Sequence, residues 1–258
     1  MKTLNTTKEA LMQNAQQDMQ TLIQDSNLTD REKLALTCRI LFDKGHDSGL
    51  AGQITSRTEK NNTFLTQRFG LGFDEVSAKN LIEVDQDLKP LDGEGMANPA
   101  NRFHTWIYKE HPEVNCIIHT HPTHIAALSM LEVPLIISQM DTCGLYNDCS
   151  FVADWPGVPV GNEEGMLISK ALGKNRAVFL AHHGQLVIGK NIEEACNLAI
   201  LIERAAKLQL LAMAAGEIKP LPHKLAQEAH DWVSTDKRNK VNFAYYARQT
   251  LKNHTNCI

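Results

Sequence analysis

The sequence predicts a mixed α/β domain, and three observations point there. Short apolar blocks with Gly, Pro or His on their flanks recur, among them residues 114–118, 177–180 and 185–188. Longer segments between them carry apolar residues at helical spacing behind recognisable start signals, such as Thr29-Asp30-Arg31-Glu32 ahead of Leu34, Cys38, Leu41 and Phe42. Two of the apolar blocks run directly into histidines, which places polar, chemically competent side chains at strand ends.

Taken in order, residues 7–24 set Met, Leu and Ile among many Gln and Asn, which predicts a weakly amphipathic peripheral helix. The Thr29–Glu32 capping box opens the first strongly marked helix, and Gly45 is placed to stop it. Gly49 and Gly52 lead into a strand through Arg57, and a second strand is expected over residues 63–67. The loop over residues 68–75 is glycine-rich but has neither the spacing nor the Lys of a phosphate-binding loop, so it receives no nucleotide role. A strand is expected over 81–84 and a loop over 85–96. Asn98-Pro99 then starts a helix, Asn capping and Pro in the first turn, with Phe103, Trp106 and Ile107 as its buried stripe.

Beyond the strand that ends at His119, residues 125–131 read as a helix, 133–137 as a strand and 141–149 as a long polar loop of the kind that carries specificity on an α/β scaffold. A turn-rich connection follows over 155–161, then a helix over 163–172. The longest helix starts at Gly189-Lys190-Asn191 with Glu194 and is apolar nearly all round over 198–215, which suits burial and a subunit contact; Pro220 and Pro222 are placed to end it. The tail holds Trp232, Phe243, Tyr245 and Tyr246 and is expected to form one or two helices on the rim. The expected organisation is an N-terminal helical extension (1–28), a core domain (29–215) and a C-terminal helical tail (216–258).

Composition narrows the function. With 258 residues there is ample chain for a buried core, and a formal charge of −4 leaves no basic excess for a polyphosphate partner, so nucleic acid is excluded as the expected ligand. No apolar run reaches the roughly 18 residues of a membrane span, and the polar first 25 residues lack a signal-peptide block. A cytoplasmic protein with no membrane partner is expected. Six cysteines are scattered without a CxxC pair. Cys116 and Cys196 sit among apolar residues and read as core thiols, and Cys143 and Cys149, in the polar loop, carry only a minor claim to redox or metal chemistry.

The chemistry gathers around Val114-Asn115-Cys116-Ile117-Ile118-His119-Thr120-His121-Pro122. On a strand, residues i and i+2 face the same side, so His119 and His121 project together, at a spacing that suits two adjacent positions on one divalent metal. A pair of hydrogen-bonded, half-buried histidines would show the same pattern. Downstream, Ala181-His182-His183-Gly184 follows another apolar block, and one of its two histidines would complete a three-imidazole set that leaves a coordination position open for catalysis.

The HTHP segment, the roughly sixty-residue interval to HHG and the helix after it resemble the class II aldolase and adducin N-terminal domain family, over about residues 34–211. The resemblance implies a three-layer α/β/α sandwich, a cyclic homotetramer and a divalent metal, Zn(II) first with Fe(II) or Mn(II) as alternatives, held by His119, His121 and His183. It also exposes departures. Gln53 stands where sugar-phosphate aldolases of the family place an asparagine that helps hold the substrate phosphate. Aligned on Arg102-Phe103-His104, Asn98 and Pro99 replace two phosphate-binding serines, and Ala100 replaces the glutamate that moves the proton. Alanine transfers no proton, and general acid/base catalysis contributes about 10²–10⁴-fold in rate. The pattern matches the adducin-like branch more closely.

The function expected from these residues is a metal-dependent lyase that cleaves or decarboxylates a small, non-phosphorylated hydroxy or keto acid through a metal-stabilised enediolate. The alternatives are a non-heme iron oxygenase on the same histidines and a non-catalytic adducin-like module. His104, one helical turn past Ala100, and Tyr146, in the polar loop, are the candidate proton carriers, with Glu94, Asp141 and Asp148 behind them. His104 as a buried histidine bonded to backbone is an equally weighted reading. Gln53, Arg68 and Asn98 are the candidate substrate-binding residues, and Arg57 is a second possible carboxylate clamp.

Overall fold

The computed structural model describes residues 5–23, 28–60, 62–154, 157 and 161–258. Helix α1 (Lys8–Leu22) is capped by Thr7 and buries no side chain, as a peripheral helix would. In α2 (Asp30–Asp43) both halves of the Thr29/Glu32 capping box are made, and the helix gives way to Gly45 at a φ of 87°, a conformation open to glycine at no steric cost.

An eight-stranded sheet follows: β1 (Gln53–Arg57), β2 (Thr63–Gln67), β3 (Leu81–Asp85), β4 (Pro90–Asp92), β5 (Cys116–Thr120), β6 (Cys149–Val152), β7 (Ala177–Leu180) and β8 (Gln185–Gly189). Its order is β4-β3-β2-β1-β5-β8-β7-β6, and every pairing is antiparallel except β6 with β7. Strand β5 therefore lies at the centre, flanked by β1 and β8.

Residue parity on the strands separates two cores. Phe64, Val84, Ile117, Val178, Leu186 and Ile188 pack beneath Phe103 and Ile107 of α3 (Arg102–Glu110) and Ile168 and Leu172 of α5 (Asn162–Leu172). Ile54, Leu65, Ile118, Phe179 and Val187 face the other way, onto α2, α4 (Thr123–Ser129) and α6 (Ile192–Ala215). These are the three layers of an α/β/α sandwich. After α6 come α7 (His223–Val233) and α8 (Asp236–Asn253), and Phe243, Ala247 and Cys257 enter the same core as α2 and α6.

Four expectations need correction. The polar 85–96 loop contains β4, an exposed three-residue edge strand. Residues 133–137 form no strand: Gln209 of α6 holds this segment, accepting from the Ile136 amide at 2.7 Å and donating to the Pro134 carbonyl at 3.0 Å, so two of its backbone polar groups bond a helix side chain rather than a sheet partner. The stretch 141–149 is not an open loop. A 3₁₀ helix (Met140–Leu145) buries Thr142, Cys143, Gly144 and Leu145 against α6 and α7, and Cys149 begins β6. The small residues that read as loop chemistry serve close packing here, and a Cβ at Gly144 would lie 2.9 Å from Leu201 Cδ2.

The fourth concerns α6, which is buried only through Gln209. Its last turns are exposed, with Leu211 62% accessible, and Gly216 rather than the prolines closes it. Of the 155–161 connection, residues 155, 156 and 158–160 lie outside the described residues. All six cysteines are free, and burial pushes the thiols of Cys149 and Cys196 up to about 12, which leaves little thiolate for redox or metal chemistry.

Candidate metal centre

Strand β5 delivers His119 in its last paired positions, opposite Gln53 of β1 and Leu186 of β8. His121 follows just beyond the strand, and His183 lies in the turn that joins β7 to β8. The three rings converge. Their centroids are 4.6 Å (His119–His121), 4.8 Å (His119–His183) and 4.6 Å (His121–His183) apart, and Nε2 of His119 lies 2.8 Å from Nε2 of His121. One ligand nitrogen from each lies within 4.8 Å of the others.

Packing explains how two separate turns can meet. Gly184 sits against the HTHP segment so closely that a Cβ there would strike His121 Cδ2 and lie 2.5 Å from the Thr120 carbonyl oxygen. On the other side Glu203 of α6 receives the amides of His124 and Ile125 at 3.1 and 3.0 Å and pairs with the His124 ring, which anchors the first turn of α4 just past Pro122. His182, the neighbour of His183, turns outward instead. Its backbone is left-handed (φ 55°), and its Nε2 meets Glu132 at 2.7 Å on the surface.

The electrostatics suit ligation. Burial, then the charges of His121, His183 and His104, hold His119 well below the usual histidine range. Burial lowers His121, and burial followed by His121 lowers His183 to about 4. At neutral pH all three rings are neutral and keep lone pairs for a cation. A donor set of three neutral imidazoles fits a borderline divalent ion with a position left for substrate.

The remaining candidates divide. Gln53 is buried beside His119 on the same sheet face, with Oε1 lacking a protein partner. His104, on the inner face of α3, is fully buried; its Nδ1 lies 2.8 Å from Thr55 Oγ1 and its Nε2 has no protein partner. The Phe103 ring packs edge-on against both His104 and His119. Asn98 is buried and occupied, accepting from the Ala100 amide at 3.0 Å as the cap of the Pro99–Asn101 turn and donating to the Leu50 carbonyl at 3.4 Å. Ala100 is buried too, a methyl group where an acid would stand. Arg68 is half-buried, bridged to Ala97, with its stem against Gly95.

Tyr146 is not brought to the histidines. Its hydroxyl lies 2.9 Å from His223 Nδ1, and its ring borders a cavity of about 590 Å³ that also holds Val114, Arg176, Ile188 and His230. That cavity opens at the start of β5 and the end of β8, the end of the strands opposite the metal centre, because burial of the 3₁₀ helix against α6 and α7 carries the tyrosine there. The loop acids are engaged elsewhere: Asp148 with Arg176, and Asp141 with Arg204. Arg57 spends its guanidinium on the Val114 and Tyr108 carbonyls, and Glu94 is exposed. Thr55, Tyr108, Gly184 and Glu203 are additions. Tyr108 was detectable as the i+4 neighbour of His104 and Gly184 as the residue after His183, whereas nothing local marks Thr55 or Glu203.

Fold and histidine cluster together define an α/β/α protein with a three-histidine group that could hold a metal. Residues 32–210 match the model of the class II aldolase and adducin N-terminal domain, and the chain belongs to that family. Among its relatives, the 4-hydroxy-3-prenylphenylpyruvate oxygenase/4-hydroxy-3-prenylbenzoate synthase of Streptomyces roseochromogenus is 30% identical over 73% of this chain and 68% of its own. The 3,4-dihydroxyphthalate decarboxylase of Arthrobacter keyseri is 30% identical over 78% of this chain and 86% of its own. In structure, the L-fuculose 1-phosphate aldolase of Glaciozyma antarctica superposes with a TM-score of 0.83 at 27% identity, over 92% of this chain and 97% of that one.

Proposed function

We propose that the protein is a metal-dependent carbon–carbon lyase that decarboxylates or cleaves a small, non-phosphorylated hydroxy or keto acid. The observation that carries this reading is the convergence of three imidazoles at one end of the sheet, together with a helix start that holds an alanine and a capping Asn98-Pro99 pair instead of an acid and two serines. The decarboxylase relative supports the non-phosphorylated substrate.

His119, His121 and His183 would hold the ion, with Zn(II) preferred and Fe(II) or Mn(II) as alternatives. The chemistry such an ion would supply there is Lewis-acid charge for a substrate carbonyl and for the oxyanion of carbon–carbon cleavage. The chain supplies the rest. Gln53 offers an amide beside His119 to orient a substrate oxygen, and Arg68 is the cation proposed for a carboxylate. His104 shares the Phe103 ring contact with His119, and with Ala100 inert it is the residue proposed to accept the proton. Phe103 closes the wall between His104 and His119 and keeps water off it.

Elemental analysis of protein purified under low oxygen without added metal tests this. Near-stoichiometric zinc or manganese, with release of CO₂ or an aldehyde from a panel of 2-hydroxy and 2-keto acids, is the expected result. Full metal content in a His119→Ala variant would sink the site assignment. The oxygenase relative favours one second reading, an iron-dependent oxygenase on the same histidines, which requires bound iron and substrate-dependent oxygen uptake.

A further inference from the structure

The hydrogen bonds around His104 determine which of its nitrogens carries the proton. Tyr108 Oη lies 3.0 Å from the Thr55 carbonyl oxygen, 3.4 Å from the Asn115 carbonyl oxygen and 3.0 Å from Thr55 Oγ1. A carbonyl can only accept, so the single phenolic proton is committed to the carbonyl side. Aiming it at Thr55 Oγ1 would leave phenol lone pairs facing two carbonyl oxygens in a buried site. Thr55 Oγ1 must then donate to Tyr108 Oη. Its one proton spent, it can only accept from His104 Nδ1 at 2.8 Å. This arrangement leaves only the His104 Nε2 lone pair unpaired in the network, whereas reversing it leaves both an Nε2–H donor and the phenol oxygen's acceptor side unpaired.

His104 Nε2 is therefore the unprotonated nitrogen. It is fully buried, has no donor among the described residues, and belongs to the layer over the sheet face that carries Gln53 and His119. We infer that the Tyr108–Thr55 hydroxyl pair locks His104 as its Nδ1–H tautomer, so that Nε2 stands in the wall of the metal centre as a hydrogen-bond acceptor for the hydroxyl of a 2-hydroxy acid. Thr55 and Tyr108 are positioning residues that act through His104. The choice of ligand rests on the lyase reading above; the tautomer does not.

Long-range ¹H–¹⁵N spectra of protein carrying ¹⁵N-labelled histidine read the tautomer without metal or substrate. Wild type is expected to show His104 with a protonated Nδ1 and a pyridine-type Nε2. Tyr108→Phe removes the acceptor of the Thr55 proton, which then turns to Nδ1, and the tautomer is expected to invert; Thr55→Ser is expected to keep the wild-type signature. A protonated Nε2 in wild type overturns the inference even if the variants fail to fold, as does a Tyr108→Phe spectrum unchanged from wild type. In zinc-loaded protein, glycolate is expected to shift the His104 Nε2 resonance and acetate, which lacks the hydroxyl, to leave it in place. No response to glycolate, or an equal response to both, overturns the acceptor role. Zinc affinity of Tyr108→Phe is expected within about twofold of wild type, and a collapse there would assign the network to holding the ligands instead. Wild-type protein that binds no zinc, iron or manganese would sink the lyase reading, a result independent of the spectrum.

Discussion

At the scale of single residues, the proposed metal centre depends as much on an absent side chain as on three present ones. Gly184 is needed for space: any Cβ there meets His121 and the Thr120 carbonyl, so the turn bearing His183 would have to retreat from the HTHP segment. Gly184→Ala is expected to weaken zinc binding by about 10–100-fold, the range seen when support around metal ligands is removed; competition against a chromophoric chelator measures it, and unchanged affinity would mean that the turn adapts. His46 makes a second residue-scale case. It is buried against Thr120 Oγ1 at 2.9 Å, and burial lowers it to about 3, against about 6.5 in an unfolded chain. Between those values the unfolded state binds the extra proton, so stability is full above about pH 6.5 and is lost as pH falls toward 3, by at most about 1.4 kcal/mol per pH unit. Urea unfolding of wild type and His46→Asn at pH 7 and pH 5 is expected to show the smaller acid loss in the variant. Much at this scale was legible in the sequence: His119 and His121 by their i, i+2 spacing, His183 through the family resemblance. Tyr146 was misplaced because position in a loop says nothing about which end of the sheet that loop will join.

At the scale of elements, α6 organises the region behind the metal centre through two side chains that no local pattern singles out. Glu203 caps α4 and Gln209 bonds the Ile136 amide and the Pro134 carbonyl, so one helix fixes the backbone of two segments through side chains. Glu203→Ala leaves the His124 and Ile125 amides without acceptors and is expected to cost about 1–3 kcal/mol, read by denaturant unfolding. An accompanying fall in zinc affinity is expected, because the freed turn follows directly on His121. Helices with chemical punctuation were the readable elements: the Thr29/Glu32 capping box, the Asn98-Pro99 start and the Asn191 cap all form. Strands β4 and β6 were hidden because they are short and lie at the sheet margins, where burial leaves too few alternating positions to register.

At the scale of the molecule, the exposed end of α6 is the feature a single chain leaves unexplained. Leu211 and Met213 stand in solvent on the last turns of a helix otherwise buried in the core. The expected homo-oligomer provides a reason for them, so Leu211→Glu is expected to shift wild-type oligomer toward smaller species in light scattering coupled to size exclusion; a wild-type monomer would overturn that expectation. No helix among the described residues is long and apolar enough to cross a membrane.

The sequence by itself determined what depends on near neighbours: the α/β class from alternating strand and helix periodicities, the capped helix starts, and the histidine pairs at strand ends. Set beside the family it resembles, it also pointed to Ala100 as the place where sugar-phosphate aldolases carry an acid. Only the tertiary structure decided what depends on residues far apart in the chain. It set β5 between β1 and β8, turned His183 inward and His182 outward, carried Tyr146 to the far end of the sheet, and placed Thr55 beneath His104, 49 residues further along the chain. Periodicity reports which face a side chain takes on its own element, whereas contact between elements is settled by sheet order and packing, which no window of sequence contains.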